Sequence, residues 1–186
     1  MNVTNSAIKQ RGNFTVEFAI IGLVFSLLFV FSGDVIIKLS YKGKLDRLSY
    51  SMVDIIKERT QLYDENYELT ENNVNTVINI ARSSLARTIS QFDAKKFGYL
   101  VEAVTFDSRQ FPTYRVFPYA GGTSIGLQCT AHQPLNEMTH LSKITTWGRR
   151  STLYRVTLCY DTDNWIGDLL GMEFSRVQSH AVIIGR

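Results

Sequence analysis

Proline is scarce in this chain, with 3 in 186 residues, and none precedes Pro112. Proline breaks helices because it lacks a backbone donor and clashes with the preceding turn, so nothing in the first 111 positions forbids a long helix. Cysteine is rarer still. Cys129 and Cys159 are the 2 present, and they permit a single intramolecular pairing. Basic runs are also missing: 20 Lys+Arg against 17 Asp+Glu give a formal charge of +3, and the basic residues are scattered. Without a cluster to neutralise consecutive phosphates, nucleic acid is excluded as a partner. Repeats and low-complexity tracts are absent too. What is there is a chain with 45% hydrophobic and 20% charged residues, too apolar for a disordered tail and long enough for one ordinary domain with a real core.

The most informative absence is local. The sixteen positions from Phe18 to Gly33 carry no charge, and the apolar run reaches back to Phe14. Twenty residues of helix at about 1.5 Å each span roughly 30 Å, the thickness of a hydrocarbon core. The segment therefore reads as membrane-spanning, with lipid as a partner, and a soluble cytosolic enzyme is excluded. If the part that follows is exported, a Cys129–Cys159 disulfide is the default expectation.

After Gly33, Leu45, Leu48, Met52, Ile55 and Ile56 recur at helical spacing between charged residues, so one helix is expected to run on to Leu62. An acidic turn, Tyr63-Asp64-Glu65-Asn66, precedes a second helix opened by Thr70 as N-cap, with Val74, Val77, Ile78, Ala81, Leu85 and Ile89 on one face. From Tyr99 onward the period changes to 2. Tyr154, Val156, Leu158 and Tyr160 alternate with Leu153, Arg155, Thr157 and Cys159 in the clearest strand, and Leu100–Phe106, Tyr114–Phe117 and Val177–Ile184 are further candidates. Turn residues at Gly121-Gly122 and Asp161–Asn164 separate them. Helices followed by strands give an α+β fold with an antiparallel sheet against which both helices pack.

The chemistry concentrates at the N-terminus. Lys9 and Arg11 precede the apolar run, and Glu17 stands at its mouth. A carboxylate at mid-membrane costs at least ~2.5 kcal/mol, less near the interface, so Glu17 should have a partner; the plainer alternative is a first-turn charge that only compensates the helix dipole. The string Arg11-Gly12-Asn13-Phe14-Thr15-Val16-Glu17-Phe18 resembles the processing motif of type IV pilins, in which a glycine ends the leader, glutamate is fifth in the mature chain, and the apolar helix follows the cut. A glycine leaves the backbone unhindered for a protease at the membrane face. Among these proteins the short leader, the Glu-aromatic pair and the long C-terminal region resemble the TadE/TadF minor pseudopilins of the tight-adherence (Flp) pilus, the TadF-like branch by length. Asn13 differs from the phenylalanine that many type IV pilins carry at mature position one, and Phe18 stands where the small Flp pilins have tyrosine.

The resemblance implies a leader over residues 1–12, cleavage between Gly12 and Asn13 by a prepilin peptidase, a helix over 13–62, and a periplasmic, pilin-like α+β head over 63–186. It implies assembly roles for Glu17 and Phe18, no catalysis and no cofactor. The implied partners are a TadE-like pseudopilin, the major Flp pilin and the inner-membrane assembly platform, in a pilus for adhesion and biofilm formation. Lys38, Lys42, Lys44 and Arg47 follow the membrane segment, so charge alone would place the C-terminal side in the cytoplasm, opposite to this topology. Thr15, Ala19, Gly22, Ser26 and Gly33 fall on one stripe of the helix, nearly opposite Glu17, where small residues would let a neighbouring helix approach closely.

Other readings are weaker. An ordinary signal peptide cut near Ser32 leaves Glu17 unexplained, and a signal-anchored periplasmic enzyme or sensor would use the helix only as a tether. Gly122-Thr123-Ser124-Ile125-Gly126 matches a nucleophile elbow, with Asp161 and His180 downstream, but it lacks the strand-to-helix context of a parallel sheet. Cys129 and His132 form a C-x-x-H fragment that neither Cys159, His140 nor His180 completes as a zinc site. Trp147 and Trp165 read as packing or surface aromatics.

Overall fold

A computed structural model describes residues 7–62, 69–118 and 127–185. The turn at 63–66, the Gly121-Gly122 turn and the elbow-like string 122–126 lie outside the described residues. The chain forms α1 (Ala7–Leu62), α2 (Glu71–Thr88), β1 (Phe97–Phe106), β2 (Pro112–Phe117), β3 (Leu127–Gln128), β4 (Leu153–Asp161), α3 (Trp165–Leu170) and β5 (Arg176–Ile184). It divides into two compact units, one of residues 1–39 with 164–174 and the other of residues 40–163 with 175–186. The division falls inside α1.

In the larger unit, the α+β head, four antiparallel strands run in the order β2-β1-β4-β5. The short β3 adds to β1 in parallel, at Gly98 and Tyr99, just beyond the residues that pair with β2. One face of the sheet presents Val101, Ala103, Tyr154, Val156, Leu158, Tyr160, Val177 and Ala181, which form a single core with both helices. α1 contributes Leu45, Leu48, Met52, Val53 and Ile56. Ile55, expected in this face, is exposed, and Val53 is buried in the core instead. α2 buries Val74, Val77, Ile78, Ala81 and Leu85, and Thr70 accepts the Asn73 N–H as the N-cap. Ile89 is buried as well, though as the extended C-cap residue. Lys44 Nζ donates to Thr88 O at 2.8 Å, so α1 takes up one of the orphan carbonyls at the end of α2.

The opposite face of the sheet is also closed, by the 3-10 segment Leu135–Leu141. Leu135 packs with Val104 and Leu153, and Phe106, Tyr114, Met138 and Leu141 surround them. Arg155, Thr157 and Cys159 are therefore buried, although they form the more polar row of β4. Such burial needs compensation. For Arg155 it comes from Glu102, its cross-strand neighbour: Glu102 Oε2 pairs with the Arg155 guanidinium while its Oε1 accepts from the Tyr114 hydroxyl at 2.5 Å and the Leu135 N–H at 3.1 Å. Burial, with the Glu102 acceptor adding to it, holds the Tyr114 phenol well above its ordinary range.

Candidate functional site

The candidate site is the N-terminal half of α1. A helix needs no partner for its backbone, since every interior N–H and C=O is bonded within the segment, and this is why an apolar stretch can cross lipid in that form. α1 is long and apolar enough to do so. Every side chain from Phe14 to Ser32 is exposed, so the apolar surface of this stretch is unburied by the chain itself. The first charges beyond it are Asp34 and Lys38, which pair one turn apart at 2.5 Å and so neutralise each other where the apolar stretch ends.

Gly12 and Asn13 lie within the helical backbone of α1. Phe18 stacks on Phe14 with ring centroids 6.3 Å apart, and Glu17 is exposed between them. Thr15, Ala19, Gly22 and Ser26 are exposed, and Gly33 is half-buried. A Cβ placed on Gly22 or Gly33 would meet nothing within 4 Å, so neither glycine is required by packing within this chain. Ser26 Oγ donates to Leu23 O at 2.7 Å, which satisfies the hydroxyl inside the helix and leaves the row small and apolar in effect. The geometry brings Glu17, Phe18 and the small-residue row onto one helix, and none of them belongs to the head's core cluster.

The cysteines occupy a different place. Cys129 follows β3, Cys159 sits in β4, and the structure joins them with a Cα–Cα distance of 5.9 Å. Gly98 of β1 lies between: a Cβ there would stand 2.1 Å from Leu127 O and 3.0 Å from Cys159 Sγ, so only glycine admits β3 and the bond together. Cys129 in this state is no thiolate ligand, and among the described residues no group of three His, Cys, Asp or Glu could hold a metal ion. Asp161 accepts from Arg176 Nε at 3.0 Å, which engages the carboxylate suggested for a hydrolase.

Sequence reasoning did not single out Glu102 or Arg155 as a pair. The one available signal was an acidic residue inside the β1 run and a basic one inside β4, two elements otherwise apolar on that stretch.

The matched family is TadF, tight adherence pilin protein F, over residues 5–186. No curated protein and no solved structure matches the chain. The family model takes in the apolar helix, α2 and the whole sheet, and the pilin family is a structural, non-enzymatic kind of protein. The chain belongs to the TadF family and is a component of the tight-adherence pilus system.

Proposed function

We infer that the chain is a minor pseudopilin that helps to initiate or cap assembly of the tight-adherence pilus, for adhesion and biofilm formation. A prepilin peptidase removes residues 1–12, and Asn13 becomes the mature N-terminus. The mature chain spans the inner membrane once through Phe14–Gly33, with the disulfide-bonded head in the periplasm. There it associates with a TadE-like pseudopilin and, through it, with the major Flp pilin and the assembly platform.

The observation that carries this reading is the placement of Glu17 five residues after Gly12 on a helix whose apolar half is bare while its other half, from Leu45, enters the core of the head. Cleavage creates an α-amino group on each mature subunit, an opposite charge that the Glu17 carboxylate of a neighbouring subunit can accept within the membrane.

Intact-mass and N-terminal analysis of the protein from its native host tests the reading. A first residue of Asn13 is expected, with an uncut precursor from Gly12→Val. Retention of residues 1–12 in the mature wild-type protein would move the assignment to a signal-anchored periplasmic protein, and a new N-terminus after Ser32 would move it to a secreted one.

A further inference from the structure

We propose that the β4–β5 connection is a lipid-interface anchor, with Trp165, Met172 and Phe174 seated among the headgroups of the bilayer that α1 crosses; this rests on the reading of Phe14–Gly33 as membrane-spanning.

Within the head, β5 lies along α1 in a defined direction. Lys42 Nζ donates to Gln178 O at 2.9 Å, while Ser179 Oγ donates to Asp46 and lies 3.1 Å from Ser49 Oγ. Later residues of β5 thus match later turns of α1. On β4 the ring of Tyr160, next to the last residue of the strand, stacks on Tyr41 with centroids 5.3 Å apart. Both strands therefore reach their shared connection beside Tyr41. Tyr41 is eight residues past Gly33, or about 12 Å along the helix. The headgroup layer fills about 5–7 Å of that distance on each side of the hydrocarbon core. Residues 164–174 form one compact unit with residues 1–39, the part of α1 that contains the apolar stretch.

The connection is held in shape by its own hydrogen bonds. Asn164 is its polar centre: Nδ2 donates to Met172 O at 2.9 Å and to Asp168 Oδ1 at 3.1 Å, and Oδ1 accepts the Phe174 N–H at 3.1 Å. Gly167 fits only because it has no Cβ, which would stand 2.1 Å from Asn164 Oδ1 and from Met172 O. Gly171 ends α3 in the left-handed region at φ 67°. Three of its large apolar side chains are turned to the surface: Trp165, Met172 and Phe174 are 60%, 49% and 52% exposed. The acids at the base are neutralised, Asp161 by Arg176 at 3.0 Å and Asp163 by Lys96 at 2.9 Å.

An ordered loop that exposes a tryptophan and a phenylalanine near the mouth of an apolar helix matches the chemistry of the aromatic belt, where such rings bury their apolar faces at headgroup level. The Asn164 hydrogen bonds within the loop limit the ordering entropy lost on insertion. The partner is the lipid surface itself, and the consequence is a second attachment that fixes the tilt and rotation of the head about the membrane exit of α1.

Quenching by brominated lipid in proteoliposomes of phosphatidylethanolamine and phosphatidylglycerol tests this with the full chain. The chain has 2 tryptophans, so Trp147→Phe leaves Trp165 as the sole reporter. Trp165→Phe leaves Trp147, which is 87% exposed beside Thr152, at the other end of β4 from Tyr160. A third variant with both replaced and Phe31→Trp reports on the apolar stretch. Trp165 is expected to be blue-shifted and to lose more emission to bromines placed shallow in the acyl chain than to deep ones, while Trp147 stays unquenched. Quenching of the position 31 reporter without quenching of Trp165 overturns the anchor and leaves α1 in the membrane. Quenching of neither removes the membrane reading and the anchor with it. Shielding of Trp165 that follows protein density and ignores bromine assigns the patch to a second copy and also overturns the proposal.

Discussion

Removing the carboxylate of Glu102 tests how the far face of the sheet is held together. The side chain is 1% exposed and its partner Arg155 is 4% exposed, so Glu102→Ala strands a guanidinium in the interior. It also leaves the Tyr114 hydroxyl and the Leu135 N–H without the oxygen they share. Breaking a buried pair from one side costs about 3–5 kcal/mol, because the remaining charge has lost its compensation; at 1.4 kcal/mol per tenfold, even the lower bound is roughly a hundredfold in the folding equilibrium. Arg155→Met should cost less, since Glu102 keeps two donors and methionine sits well beside Met138, which lies 3.8 Å from the guanidinium. The double replacement Glu102→Leu with Arg155→Met should cost well below the sum of the singles, leaving a coupling of at least about 1.5 kcal/mol. Urea unfolding of the full chain in detergent micelles, followed by near-UV circular dichroism and pulse proteolysis, measures all four corners of the cycle. Single losses under about 1 kcal/mol that add without coupling would mean that water or another group already satisfies these atoms, and the reasoning would fail.

Four further outcomes are expected. The Cys129→Ser, Cys159→Ser double variant should be less abundant and more protease-sensitive, by roughly 3.5–4 kcal/mol for a loop of this length, and both cysteines recovered as free thiols from rapidly alkylated cells would refute the bond. Gly98→Ala should drive β3 off β1 and raise the fraction of free thiol, because the obstructing atom at 2.1 Å is the backbone oxygen of Leu127; unchanged thiol titration would count against the close approach. Alkali should expose Tyr114. Its folded pKa is raised by burial and by Glu102, so above pH 10.0 the unfolded chain loses a proton that the folded chain keeps, and stability falls with rising pH until the folded group ionises; Tyr114→Phe should shallow that slope by one proton, and an unaltered slope would deny the burial. In the membrane, Glu17→Ala and Gly22→Leu should spare cleavage yet weaken co-purification of the partner pseudopilin, while Leu23→Ile is silent; equal recovery from all three would strip both the carboxylate and the small-residue row of an assembly role.

What could be read from the sequence is what neighbours along the chain decide. An uncharged stretch long enough to span lipid, a glutamate at a fixed distance from a glycine, Thr70 ahead of an amphipathic run and the period of β4 are properties of a window of some twenty residues. Helix and strand periods are set by local geometry, and for these elements the expectation and the structure agree. Strand edges were less legible: β1 begins at Phe97 and β2 at Pro112, because pairing with β4 and β1, and not the side-chain pattern, sets where a ladder starts.

Only the tertiary structure decided what depends on residues far apart. That β3 runs parallel to β1, that Gly98 has to be glycine, and that Glu102 and Arg155 neutralise each other beneath Leu135–Leu141 all follow from register, which no single window contains. The same holds for the β4–β5 connection. Its sequence reads as a turn followed by scattered apolar residues, and nothing in that pattern says which of them face outward. In the fold Asn164 bonds across the loop to Met172 and Phe174, ten residues away at most, while Trp165, Met172 and Phe174 stay exposed, because the backbone's hydrogen bonds and not the hydropathy of the window fix which side chains face outward.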